Sequence, residues 1–272
     1  MWKRIGQASI WFAIYFGLQN IISIICVVAK FLFNPSLMSD LSQPDLLADT
    51  IMDITMDIIM PTMIVSALLM ILIYIIHKRV THQPLDLRSI EWQKALFFIG
   101  VACVLNVVSN LSVTLVQNIM PSGWVDSLNE SIDTVSKGPA LWMVILGTGI
   151  LIPVMEEITF RYGIHKTLSK YSVKLAFVVS SVLFGLMHGN PIQIVYAIII
   201  GLIFAYVYTK TDNLCYPVIM HIVNNISSLL IGYYPSALSY IIIVTGLGAA
   251  VIIFTYAACP NVRNMFQKKL AK

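Results

Sequence analysis

Eight apolar runs of about twenty residues each divide this sequence and constrain what it can fold into. Segments of this length cross hydrocarbon as helices, because each helix satisfies its own backbone N–H and C=O groups. In the whole chain 58% of residues are hydrophobic, 11% are charged and the mean hydropathy is +0.84. The runs lack the alternating pattern of an outer-membrane barrel.

We therefore predict an all-α fold, a polytopic membrane bundle of about eight transmembrane helices that forms one integral membrane domain over residues 1–272. The charges between the runs predict its orientation. The first and third loops are acidic, whereas the N-terminus, the second and fourth loops and the tail are basic. By the positive-inside rule both termini are cytoplasmic. The predicted spans are 8–33, 57–77, 94–119, 139–162, 172–188, 191–209, 214–232 and 237–258.

The net charge of +4 thus reflects topology, so we expect the lipid bilayer as the surroundings and no nucleic acid as a partner. The acidic residues of the two loops are Asp40, Asp45, Asp49, Asp53, Asp126, Glu130 and Asp133. The basic residues are Lys3, Arg4, Lys78, Arg79, Arg88, Lys166, Lys170, Lys174, Arg263, Lys268, Lys269 and Lys272.

Several residues are predicted to contact the membrane surface. Six aromatic side chains near span ends are expected to anchor in the headgroup zone. The segment 162–174 mixes polar, basic and apolar residues, which predicts a short amphipathic helix along the cytoplasmic surface. The six aromatic residues are Trp92, Trp124, Trp142, Tyr15, Tyr74 and Tyr162.

The first candidate functional stretch is 153–170, where two adjacent carboxylates and an arginine lie in apolar sequence. On a helix, Glu157 and Arg161 are four residues apart and share a face, with the acid in the favourable N-terminal position. Glu156 points about 100° away from them. The pattern predicts that Arg161 neutralises Glu157 while Glu156 faces a partner element.

Two later spans also present polar faces. His188 follows Phe184 by four residues, and Asn225 follows His221 by four, so each pair shares one helical face. An ionisable group in hydrocarbon costs on the order of 3 kcal/mol, so a shared hydrated site would lower the cost for all three helices. We expect Glu156, His188, His221 and Asn225 to converge on one water-filled cavity open to the cytoplasm.

For each of these residues, a purely structural role in helix packing is an alternative to a role in function. A lone histidine in an apolar span is more often a hydrogen-bonded core residue, and Asn225 alone is more often an interhelical hydrogen-bond donor. The Glu157–Arg161 pair has a structural role even in a catalytic site. Packing explains the whole set less well, because the other spans contain almost no acids or histidines.

Three motifs on successive spans, E-E-x-x-x-R at 156–161, F-x-x-x-H at 184–188 and H-x-x-x-N at 221–225, resemble those of a known family. This is the CPBP intramembrane protease family of CAAX prenyl endopeptidases and bacteriocin-processing or immunity enzymes, also called the Abi family. The resemblance covers about 140–232 without a departure at the motif positions, and the first three spans are similar only in being apolar. It places the catalytic core in residues 139–232.

The resemblance implies glutamate chemistry that uses no cofactor and no metal. It implies that Glu156 and His188 activate a water and that His221 and Asn225 stabilise the oxyanion, for which an amide and an imidazole are suitable donors. A zinc site of two histidines and one glutamate is chemically possible with the same residues, although H-E-x-x-H is absent. Supporting roles fall to Glu157, Arg161 and Phe184.

The leading hypothesis is an intramembrane endopeptidase that cuts a peptide or a membrane protein near the cytoplasmic face. The alternative is a non-catalytic protein of the same fold, acting in bacteriocin self-immunity or as a regulator that binds a membrane sensor protein. A transporter is a third hypothesis, but the sequence lacks two matching halves with interrupted spans. We predict a bacterial plasma membrane location; the sequence leaves the substrate and the oligomeric state open.

The motif positions raise a problem of depth. At about 1.5 Å per residue, Glu156 lies near the cytoplasmic end of a span that stops at 162, whereas His188 lies some twenty ångströms into the next span. The two meet if the fifth span is strongly tilted, or if the turn 189–191 is buried within the protein at membrane depth.

Overall fold

The computed structural model describes residues 1–40, 42–43, 46–137, 140–231 and 237–267. Within these ranges the chain is helical and forms no strand, so the predicted all-α class is confirmed. Some predicted features lie outside them, namely Asp45, the tail residues Lys268, Lys269 and Lys272, and the limits 139 and 232 of the predicted core. The helices are α1 (Trp2–Phe33), α2 (Leu37–Asp40), α3 (Leu47–Val80), α4 (Trp92–Gln117), α5 (Ser122–Lys137), α6 (Leu141–Ser169), α7 (Val173–Leu186), α8 (Pro191–Thr211), α9 (Cys215–Ile231), α10 (Ala237–Ala258) and α11 (Pro260–Gln267).

All eight predicted spans fall on helices. In the described part of the chain, six helices are long and apolar enough to cross a membrane: α1, α3, α4, α6, α8 and α10. The other two, α7 and α9, are apolar but shorter, with 14 and 17 residues. At about 1.5 Å per residue α7 is roughly 21 Å long, less than the ~30 Å hydrocarbon core. The count of eight crossings therefore stays a prediction.

The longest motif-bearing helix is α6, which is continuous but contains two π-helical segments, Ile145–Leu151 and Ile158–His165. The prediction of a surface helix after residue 162 is wrong, because α6 continues to Ser169 and residues 162–165 are buried. The reason is that His165 finds partners inside the bundle. Its Nε2 lies 2.8 Å from the Thr209 hydroxyl, and its Nδ1 lies 3.4 Å from that of Ser180.

Two apolar clusters form the core. One joins α1, α3, α6, α7 and α8 and includes Trp11 and Phe184, and the other joins α4, α8, α9 and α11 and includes Phe204. Helix α1 approaches α6 closely at Gly163, where an added Cβ would lie 2.5 Å from the Trp11 ring. His221 contacts the rings of both Phe184 and Phe204, at centroid distances of 5.6 and 5.2 Å. The motif residues thus lie where the two clusters meet.

The aromatic residues divide into two groups. Trp92, Trp124 and Trp142 are exposed, and their anchoring in the headgroup zone stays a prediction. Tyr15, Tyr74 and Tyr162 are buried, so for them the anchor prediction is wrong. Two of the tyrosine hydroxyls make internal hydrogen bonds instead: Tyr15 donates to Glu156, and Tyr74 accepts from the backbone N–H of Asp86.

The charge pattern predicts a loop after the third span, but the structure has helix α5 there. Trp124, Leu128 and Ile132 recur at four-residue spacing there, a signal that indicates an amphipathic helix. Helix α5 covers the turn between α7 and α8, because the Asn190 amide donates to the Trp124 carbonyl at 3.0 Å. The Asn190 Oδ1 also accepts from the Ile192 N–H at 2.9 Å and so caps α8. Asn190 is therefore buried against α5, whereas Gly189 of the same turn is exposed.

Candidate active site

Glu156 and His188 lie at comparable depths in the bundle. At about 1.5 Å per residue, Glu156 is roughly 20 Å from the Ser169 end of α6, and His188 is roughly 20 Å from the Val173 start of α7. These two ends are joined by a short turn. The depth problem posed by the sequence thus resolves, since α6 is longer than predicted and Asn190 of the turn is buried against α5.

The predicted pair on α6 is present and fully buried. The Arg161 guanidinium donates through Nε to Glu157 Oε2 at 2.9 Å and through Nη2 to Oε1 at 3.4 Å, and both side chains are 0% exposed. The guanidinium also lies over the Phe184 ring, with Cζ 5.0 Å from the centroid. A buried charge that loses its partner is strongly destabilising, so this pair orients the helix as well as neutralising Glu157.

The imidazole of His221 lies between the two adjacent carboxylates. Its Nδ1 is 3.0 Å from Glu157 Oε1, and its Nε2 is 3.5 Å from Glu156 Oε2. A neutral imidazole has one N–H, so both contacts are favourable only when His221 carries two protons or Glu156 carries one. With Arg161 included, the group is electrically neutral in either state. A proton can therefore pass between Glu156 and His221 without creating a net buried charge.

Glu156 has a second partner, which sequence reasoning missed. The Tyr15 hydroxyl of α1 donates to Glu156 Oε1 at 3.1 Å, and it accepts in turn from Gln19 Nε2 at 3.5 Å. Trp11, Tyr15 and Gln19 recur every four residues, and this shared face was the available signal. The carboxylate that the sequence predicted to face a partner element thus faces two, α1 and α9.

His188 presents one ring nitrogen as an acceptor. Its Nδ1 lies 3.0 Å from the Phe184 carbonyl oxygen, which can only accept, so in the neutral ring Nδ1 carries the hydrogen. This leaves Nε2 with its lone pair free. The Phe184 ring contacts the rings of both His188 and His221, at centroid distances of 5.1 and 5.6 Å, and so spaces the two imidazoles.

Asn225 is anchored by an unusual carbonyl in α6. Its Nδ2 donates to the Thr148 backbone oxygen at 2.9 Å. Thr148 lies in the first π-helical segment, where a carbonyl accepts from the residue five positions ahead; that residue is Pro153, which has no N–H. The carbonyl is therefore left for Asn225. An amide has two N–H donors, so one remains for a ligand.

A cavity of about 260 Å³ adjoins these groups, large enough for several water molecules. His188, His221 and Asn225 line it, whereas Glu156 is not among the lining residues and contacts His221 from behind. The structure thus brings three of the four predicted catalytic residues to one cavity and places the fourth, Glu156, in contact with His221. Sequence reasoning missed its other polar side chains, which interrupt apolar spans: Ser109, Asn110, Thr148, Gln193, Asn224 and Ser228.

The zinc interpretation requires Glu156 and both histidines to reach one ion. In the described part of the chain, no group of three or more His, Cys, Asp or Glu side chains has the arrangement of a metal site. The observed contacts of His221 are with carboxylates on both sides of its ring.

The part of the chain that contains these residues is similar to a known protein family. The family model described as "Type II CAAX prenyl endopeptidase Rce1-like" matches residues 138–227, a segment that includes all three motifs. The resemblance to the CPBP family is confirmed. No solved structure matches the chain. The Rce1-like segment covers α6 to α9, so Tyr15 and the rest of α1 lie outside it.

Three bacterial proteins are similar to this chain. "UPF0177 protein YxdF" of Lactococcus lactis subsp. lactis (strain IL1403) is 28% identical over 57% of the chain and 86% of its own length. "Putative membrane peptidase YdiL" of Bacillus subtilis (strain 168) is 31% identical over 32% of the chain and 36% of its own length. "UPF0177 protein YajF" of the same Lactococcus strain is 35% identical, over 38% of the chain and 49% of its own length. The chain thus spans less than half of YdiL and of YajF.

Proposed function

We propose that the protein is an intramembrane endopeptidase that hydrolyses a peptide bond with a glutamate-activated water. The observation that carries this proposal is the contact of Glu156 with His221. The two side chains can share a proton, and His221 lines a polar cavity. Packing alone does not require a carboxylate, an imidazole and a wet cavity to adjoin one another inside an apolar bundle. The match to an Rce1-like family and a relative named as a membrane peptidase support the same reaction class.

In the first step a water attacks the substrate carbonyl in the cavity. The free Nε2 of His188 accepts a hydrogen bond from this water and orients it. As the new C–O bond forms, a second water in the cavity relays the proton to Glu156, which is 8% exposed beside the lining residue His221. Tyr15 holds the carboxylate of Glu156 in place through its hydrogen bond. Glu156 thus acts as the general base.

The oxygen of the attacked carbonyl becomes negatively charged and needs donors. The second N–H of Asn225 supplies one, and His221 supplies the other through its Nε2–H, whose 3.5 Å contact with Glu156 weakens once Glu156 has taken the proton. When the C–N bond breaks, the proton held by Glu156 passes to the leaving amine. The products are a carboxylic acid and an amine, and Glu156 is again ionised.

The proposal also covers the substrate class and the membrane in which the enzyme acts. Its substrate is a peptide or a membrane protein that enters the cavity from the bilayer or its cytoplasmic face. The related proteins come from bacteria, which supports a location in a bacterial plasma membrane. The Glu157–Arg161 pair and Phe184 support the reaction by fixing His221.

Mass spectrometry of membrane-associated peptides tests the proposal in cells of the source organism that express the wild type, Glu156→Gln or Glu91→Gln. Glu156→Gln keeps the shape of the side chain and removes the base, whereas Glu91→Gln makes the same change at an exposed glutamate that contacts Lys94. We expect cleavage products with the wild type and Glu91→Gln and none with Glu156→Gln at equal abundance. Identical peptides in all three strains contradict an enzyme. A biological effect that persists in Glu156→Gln points to the immunity or regulatory alternative.

A further inference from the structure

A second cavity lies at the end of the bundle where α1 begins and where α3 and α6 end. Its volume is about 460 Å³, and residues of these three helices and of the turn after α3 line it. It shares no lining residue with the candidate active site. The basic residues of the N-terminus and of the second and fourth loops lie at this same end, which we predict to be cytoplasmic.

The cavity has an excess of positive charge. Three cationic side chains line it, Arg4, Lys166 and Lys170, and no acidic residue does. The Arg4 guanidinium bonds to the neutral Gln7 side chain at 3.0 Å. In the described part of the chain, Lys170 has neither a hydrogen-bond nor an ion-pair partner. Two of the three cations therefore lack a carboxylate.

The third cation shares its carboxylate with another lysine. Lys166 pairs with Asp86, and Lys78 pairs with the other oxygen of the same carboxylate at 3.0 Å. One carboxylate thus neutralises only one of the two ammonium charges next to the cavity. The surplus cation adds to those of the rim, so the cavity favours an anion.

The rest of the lining is apolar. Ile10 and Ile14 of α1 and Ile73 of α3 contribute aliphatic side chains, and Trp11 contributes an aromatic ring. Ile10 is 60% exposed, so this side of the cavity is continuous with the apolar outer surface of the bundle. A ligand that fits both parts has an anionic head and an apolar tail.

We propose that this cavity binds an anionic phospholipid, with the phosphate between Arg4 and Lys170 and an acyl chain along Ile10, Ile14 and Ile73. Guanidinium and ammonium groups are the usual phosphate ligands, and basic pockets between helices at the cytoplasmic side bind such headgroups. Inorganic phosphate shares the anionic chemistry but has no chain to cover the isoleucines. The occupant would tie α1, which also contains Tyr15, to the end of α6.

The test compares two double variants of the full chain in detergent by native mass spectrometry with phosphatidylglycerol and with phosphatidylcholine. Arg4→Gln with Lys170→Gln removes two charges from the cavity. Arg79→Gln with Lys174→Gln removes two charges from exposed positions at the same end that do not line it. We expect the first variant to bind phosphatidylglycerol roughly tenfold or more weakly than the second, with phosphatidylcholine unaffected.

Several outcomes would overturn the proposal. Equal losses in the two variants would mean a general basic surface, and wild-type affinity in the cavity variant would mean no site. Displacement of phosphatidylglycerol by excess inorganic phosphate would assign the site to free phosphate instead. Equal thermal unfolding midpoints of the two variants show that a loss of binding does not reflect misfolding.

Discussion

Tyr15 in α1 donates a hydrogen bond of 3.1 Å to Glu156 in α6, across 141 positions of sequence. Helix α1 lies outside the segment 138–227 that matches the Rce1-like family. The proposed general base is therefore positioned by a part of the chain in which no motif was recognised. Gly163 permits this, because it lets α1 approach α6 closely at Trp11, one helical turn before Tyr15.

Tyr15→Phe removes the hydroxyl and keeps the ring. Loss of a hydrogen bond to a charged group is worth about 1.5 to 3 kcal/mol, so we expect proteolysis to slow by roughly ten- to a hundredfold. Cleavage rates measured with the peptide identified by mass spectrometry check this.

Tyr162→Phe is the matched control, since Tyr162 is equally a buried tyrosine but its hydroxyl has no hydrogen-bond partner among the described residues. Its cleavage rate should equal that of the wild type. Wild-type behaviour of Tyr15→Phe would mean that the hydrogen bond does not position the base.

Arg161→Ala should destabilise the protein by about 3 to 5 kcal/mol, because it leaves Glu157 buried without its partner. Thermal unfolding in detergent and abundance in the membrane measure the effect. Arg88→Ala, which breaks a pair with Asp212 that is more than half exposed, should cost at most about 1 kcal/mol. Equal losses in the two variants, or normal accumulation of Arg161→Ala, would show that the buried pair is not needed for stability.

Asn225→Ala should slow cleavage by roughly 10²-fold or more with abundance unchanged, the effect of losing one oxyanion donor. Asn118→Ala is the control, because Asn118 also donates to a threonine carbonyl but is exposed, directly after the end of α4 and away from the cavity. Turnover measured at saturating substrate should be slowed in Asn225→Ala and unchanged in Asn118→Ala. A change in substrate binding alone, with turnover intact, would assign Asn225 to binding instead of the oxyanion.

Both termini should be cytoplasmic, with an even number of crossings, because the basic residues cluster at the N-terminus and in alternate loops. Reporter fusions at each end and in the loop after α4 check this, with the loop expected outside. A terminus found outside would reverse the topology and would place the phospholipid cavity in the outer leaflet.

The sequence by itself determined the features that depend on local spacing. Apolar runs located all eight apolar helices, because the length and polarity of a segment decide whether it is helical in hydrocarbon. The Glu157–Arg161 pair also followed from spacing, since residues four apart meet on any helix. The three motifs indicated which residues belong together, as the contacts of His221 with Glu156, Glu157 and Phe184 show.

Only the tertiary structure decided which partners the polar groups find. His165 hydrogen-bonds to other helices, and so α6 continues past the point where its polarity predicted an end. Tyr15 turns inward because Glu156 lies opposite it, although the same residue at a span end is typical of an interface anchor. A polar side chain in an apolar bundle needs a partner, and that partner comes from a helix whose position is set by packing across the whole chain.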